Sequence, residues 1–65
     1  MKFKAFILNI REHESAYNWA VRNNISPWAI YNLISGRRRF PSVKLAREIV
    51  RATNRAVTYD DLFGE

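Results

Sequence analysis

The sequence predicts an all-α fold, a compact bundle of four to five short helices in a single domain over residues 1–65, on three observations. Apolar residues recur mostly at helical rather than alternating spacing. Hydroxyl residues that cap helices, Ser15, Ser26, Ser42 and Thr58, stand directly before the periodic runs. Residues that accept left-handed backbone, Asn24, Gly36 and Asn54, stand directly after three of them.

Phe3, Phe6, Ile7 and Ile10 follow the i, i+3, i+4, i+7 pattern of one helical face and predict a first helix over residues 2–12. Lys2, Phe3, Lys4 and Ala5 also alternate, so pattern alone leaves a short initial strand open. Ser15 caps a second helix in which Tyr17, Ala20 and Val21 repeat at helical spacing. That helix ends near Asn23 and Asn24, and Ile25 gives the turn an apolar anchor. Ser26 followed by Pro27 restarts the helix: the hydroxyl accepts from a free first-turn amide, and proline sits where its missing N–H is not needed. This third helix covers residues 27–35 and stops at Gly36, after which residues 37–41 form a basic loop. Ser42 caps a fourth helix through Thr53, with Leu45, Ala46, Ile49 and Ala52 inward and Asn54 able to end it. Thr58 caps a last short turn, Tyr59 to Phe63, with Asp60 and Asp61 at the positive end of its dipole.

A chain of this length buries only about 60% of the surface its unfolded form exposes. With one histidine and no cysteine, neither a disulfide frame nor a zinc site supplements the core, and no metal or other cofactor is expected. Apolar residues make up 48% of the chain, too many for a disordered segment, so packing is expected to hold it. Eleven Lys and Arg against six Asp and Glu leave a net charge of +5, which favours a polyanionic partner, nucleic acid first. The longest apolar run, Ala5 to Leu8, is far short of the roughly 20 residues that span a bilayer, and no secretory signal follows the start. A cytoplasmic, nucleoid-associated location is therefore expected, with no membrane partner. An enzyme is disfavoured, because His13 is the only imidazole and neither a glycine-rich phosphate loop nor a spaced carboxylate pair is present; no small-molecule substrate is expected.

On a 3.6-residue period, Ile30, Leu33 and Ile34 of the third helix share one face, while Trp28, Tyr31, Asn32 and Ser35 cluster on the other. Two aromatics, an amide and a hydroxyl without an acid suit a reader of base edges: asparagine pairs with adenine in bidentate fashion, and rings pack on thymine methyls. The alternative is that Trp28 or Tyr31 folds back into the small core or covers a dimer surface. Arg37, Arg38 and Arg39 follow directly and are natural phosphate clamps. On the fourth helix, Lys44, Arg47, Arg51 and Arg55 form a stripe, of which Lys44, nearest the arginine loop, is the candidate phosphate ligand. Glu48 is the only acid near the stripe, and for the rest of it a solvated helix face is the commoner explanation.

The stretch from Ser15 to Ser35, S-A-Y-N-W-A-V-R-N-N-I-S-P-W-A-I-Y-N-L-I-S, resembles the helix-turn-helix of phage repressors and Cro proteins. The likeness rests on Trp19 and Ala20 in the first helix of the unit, Asn24 and Ile25 in the turn, and Ile30 with Leu33 in the second. Gly36 and the basic loop with Pro41 also look like that family, and residues 46–62 look like the tail of small Cro-type and YdaS-type regulators. The resemblance implies a bundle containing a helix-turn-helix, binding of a double-stranded DNA operator as a homodimer, and transcriptional repression or switching. It also implies that Ser26, Trp28, Tyr31, Asn32 and Ser35 occupy the reading surface. Three positions depart from the pattern. Asn24 replaces the turn glycine, Asn23 stands where an apolar residue usually packs, and Pro27 replaces a residue that often reads or braces a base.

Tyr59, Leu62 and Phe63 of the tail, or an edge of the first helix, are the candidate dimer surfaces. Two rival functions fit the same residues: an antitoxin-like protein-interaction module whose DNA binding is autoregulatory, and RNA binding, since aromatics beside arginines also stack on unpaired bases.

Overall fold

The computed structural model describes residues 1–64 and contains five helices: α1 (Phe3–Ile10), α2 (Ala16–Arg22), α3 (Pro27–Ile34), α4 (Val43–Ala52) and α5 (Tyr59–Phe63). No strand occurs among the described residues. The alternating start is therefore helical, and Phe3 and Ile7, one turn apart, enter the core together. α1 ends two residues earlier than its periodicity predicts. Arg11 to His13 form a turn in which the amides of His13 and Glu14 both bond to the Ile10 carbonyl at 2.9 Å.

Four hydroxyls cap four helices as expected. Ser15, Ser26, Ser42 and Thr58 accept from the amides of Asn18, Ala29, Leu45 and Asp61 at 3.1, 3.4, 3.1 and 3.2 Å. Each satisfies one of the amide donors that a helix start leaves free. The far ends close by left-handed residues. Asn24, at φ 58, lets the amides of Asn24 and Ile25 return to the carbonyls of Val21 and Ala20. Asn54 and Arg55, at φ 53 and 66, return theirs to Arg51 and Val50. Both are the paired closure of a Schellman motif.

Trp19 centres the core at 2% exposure, with the rings of Phe3 and Phe6 at 5.8 and 5.7 Å from its own. Phe6 and Trp19 meet edge to face, an arrangement aromatic pairs favour. The buried face of α2 is Ala16, Trp19 and Ala20; Tyr17 and Val21, read from spacing alone as part of the repeat, are exposed. α2 and α3 make the most extensive helix pairing, and Ala20 and Ile30 on them are fully buried. A methyl at position 20 permits that close approach. The half-buried Asn23 leaves no gap, because its side-chain amide donates to the Trp19 carbonyl at 2.8 Å.

α4 supplies Leu45, Ala46 and Ile49 to the core. Its last turn is tied to the tail by Thr53, whose buried hydroxyl donates to the Ile49 carbonyl at 2.8 Å and accepts from the Val57 amide at 3.2 Å. On α5, Leu62 is buried. It joins the core cluster while Tyr59 and Phe63, four residues apart, stay exposed. Leu62 is therefore a core residue and drops out of the candidate dimer surface. The radius of gyration, 10.5 Å, is that of a packed chain of this length, about 10.7 Å.

Candidate nucleic-acid interface

α3 divides as its periodicity predicts. Ile30 is fully buried and Leu33 and Ile34 pack partly against the core, while Trp28 is 67% and Tyr31 47% exposed. Trp28 is a large apolar ring held in water by a helix whose opposite side is fixed in the core, so it cannot turn inward without unpacking Ile30. Asn32 lies between the two faces and is half-buried. Its main-chain carbonyl is engaged, accepting from the Ser35 hydroxyl at 3.4 Å and the Arg38 amide at 3.0 Å. Asn32 thus also ties down the start of the arginine loop through its main chain.

The two serines of the expected reading set stand apart from it. Ser26 uses its hydroxyl to cap α3, and Ser35 uses its own to close the end of α3, donating to Asn32 and accepting from the Arg37 amide at 3.4 Å. Both are exposed, but their hydroxyls already serve the backbone.

Gly36, at φ 80, turns the chain out of α3 into residues 37–40. The three arginines diverge from there. The Arg38 Nε donates to the Phe40 carbonyl at 3.0 Å, which fixes the plane of its guanidinium and leaves its outer nitrogens free. Arg39 lies over the Phe40 ring, 5.3 Å from its centroid. It also lines a cleft with Lys2, Lys4 and Asp61, away from Trp28. Arg37 and Lys44 are exposed. Of the four expected phosphate ligands, Arg37, Arg38 and Lys44 keep free cationic heads, and Arg39 is the one drawn aside.

Lys4 and Arg11 were not among the expected ligands. They line a groove of about 310 Å³ in which α1 residues meet Tyr31 and Ile34 of α3. Their seven-residue spacing was visible in the sequence, but only the packing of α1 beside α3 places them next to Tyr31.

Two ion pairs form among the described residues, Glu14 with Arg22 and Asp61 with the Met1 ammonium. Glu14 also accepts from the Asn18 side chain at 2.8 Å. Its carboxyl is held below the usual range, chiefly by the Arg22 hydrogen bond. Both paired acids lie outside the α3 face, and among the described residues no carboxylate pairs with Arg37, Arg38 or Lys44. Neither a family model, nor a curated protein, nor a solved structure matches this chain. What is established is an all-helical fold, without a membrane-spanning helix among the described residues, that leaves Trp28 and Tyr31 exposed and sets Lys4 and Arg11 in the groove that Tyr31 lines.

Proposed function

We propose that this protein is a sequence-specific double-stranded DNA-binding regulator of transcription, with α2 and α3 as a helix-turn-helix and α3 in the major groove. The observation that carries this reading is the outward pair Trp28 and Tyr31 on a helix anchored from behind by Ile30. A lone exposed ring needs no explanation, but two on one helix, with Lys4 and Arg11 in the groove that Tyr31 lines and with Arg37 and Arg38 following the helix in the chain, suit apolar base edges and phosphates together. Asn32 supplies the group able to pair in bidentate fashion with adenine, and Trp28 and Tyr31 pack on thymine methyls. Arg37, Arg38 and Lys44 take phosphates. Lys4 and Arg11 extend the cationic rim past Tyr31.

Phosphate contacts and base contacts make different predictions. Three phosphate ligands per protomer give a slope of log affinity against log salt of about −3. Arg37→Ala should shallow that slope by about 1 and weaken all duplexes alike. Asn32→Ala should instead cost about 1–3 kcal/mol on the preferred site and far less on random DNA. Selection of duplexes from a random library followed by titration of both variants tests this; an Asn32→Ala protein with unaltered sequence preference would refute the reading role.

Doubling of a small half-site on a palindrome is the second part of the proposal. The exposed aromatic face formed by Tyr59 and Phe63, with the Phe40 ring 6.2 Å from that of Phe63, supports pairing of two copies. Sedimentation velocity with the selected duplex should show two protomers per site, and a single protomer on every duplex would remove the dimer.

A further inference from the structure

The outer side of α4 carries a second concentration of positive charge that the proposed DNA face does not use. Between α4 and α5 lies a groove of about 480 Å³ whose walls include Arg47, Arg51 and Arg55 and whose lining also includes Val50, Asn54 and Tyr59. That volume is within the range of ligand sites, roughly 300–1,000 Å³. It shares no lining residue with α3 or the arginine loop; Tyr59 is the residue it has in common with the proposed dimer face, so a docked partner and a second copy would compete for that ring. Among the described residues no acid lines it, and neither ion pair involves its arginines. Three arginines therefore border one concavity with no carboxylate paired to them among the described residues.

Arg55 adds a second reason to read the groove as built. Its φ is 66, a conformation that costs a side-chain-bearing residue about 1–2 kcal/mol relative to glycine. The turn alone calls for glycine or asparagine, as at Asn54 beside it. An arginine held there against the backbone preference is a charge placed in the groove wall.

The shape decides among anions. Duplex DNA offers a convex backbone that has no apolar group to set against Val50 and the Tyr59 ring. Single strands are bound by successive stacking rings, and this groove has one. A helix bearing carboxylates one turn apart fits: Arg47 and Arg51 are also one turn apart, about 6 Å along their axis, and an apolar side chain on the same face would rest on Val50 and Tyr59. We propose that the α4–α5 groove is a docking site for an acidic amphipathic helix of a partner protein, gripped by Arg47, Arg51 and Arg55.

The test uses a synthetic 16-residue helix-forming peptide with glutamates four apart and leucines beside them, its glutamine counterpart, and a ten-nucleotide oligothymidylate. Each is titrated into the full chain, followed by amide and arginine side-chain NMR shifts. The glutamate peptide is expected to shift Arg47, Arg51, Asn54, Arg55 and Tyr59 and leave α3 unmoved, and the glutamine peptide to bind at least tenfold more weakly. Arg51→Gln, an exposed change to another good helix former, should weaken the glutamate peptide about tenfold. Equal binding of the two peptides, shifts centred on α3, tighter binding of the oligothymidylate in the groove, or no binding at all would each overturn the proposal. The comparison of the two peptides on the unmodified chain stands whatever the variant does.

Discussion

Left-handed backbone falls at Asn24, Gly36, Asn54 and Arg55, and the first three are residue types that accept it at low cost. Gly36 has open space where a Cβ would stand, so Gly36→Ala meets no clash and costs only the backbone term, about 1 kcal/mol. Arg55→Gly should act in the opposite sense, stabilising the fold by about 1 kcal/mol after the unfolded chain's added freedom is set against the relieved strain. Urea denaturation of the two variants checks both signs. An Arg55→Gly protein no more stable than the parent would show that the left-handed strain is small. Asn23 teaches the same lesson about polar groups: an amide at an apolar position is harmless because it donates a hydrogen bond to the Trp19 carbonyl.

Helix ends govern the element scale. Ser26 is placed by sequence pattern as a cap and by the family resemblance as a reader, and its hydroxyl accepts from the Ala29 amide. Ser26→Ala should therefore cost about 0.5–1 kcal/mol of stability and leave the ranking of DNA sequences unchanged. Thermal melts and competition binding on the same variant separate the two roles. Thr53 joins α4 to the tail through a buried hydroxyl that the Val57 amide needs as acceptor. Thr53→Val keeps the shape and orphans that amide, an expected loss of about 1–3 kcal/mol. In a domain this small each kcal/mol lowers the melting temperature by about 4–8 °C, so the change should be plain in a melting curve.

Across the whole molecule, the two ends of the described chain are clamped together. The Met1 ammonium donates to the Asp61 carboxylate at 2.9 Å and to the Ala56 carbonyl at 3.0 Å. That ammonium, and then the Thr58 amide, lower the Asp61 carboxyl from 3.8 to about 2. The folded state therefore releases this proton more readily than the unfolded one. Its contribution is complete above the ordinary value near 4 and is lost as pH falls from about 4 towards 2. Melting temperatures measured from pH 6 to 2 should decline across that window. Asp61→Asn should flatten the decline in part, the remainder belonging to acids such as Glu14, which is also held low. A decline as steep in Asp61→Asn as in the parent would show that the clamp is not formed in solution.

Helix positions, caps and the inward faces of α1, α3 and α4 were legible in the residues, because each depends on interactions within four or five positions along the chain. The outward placement of Trp28 and Tyr31 was legible for the same reason: once Ile30 is inside, the helical period puts them outside. Tertiary packing alone decided the rest. It buried Leu62 while leaving Tyr59 and Phe63 in water, exposed Tyr17 and Val21, brought Lys4 and Arg11 beside Tyr31 and set three arginines along one groove. These depend on which helix lies against which, and that choice is made by the shared burial of residues far apart in sequence, a sum over the whole core that no local pattern contains.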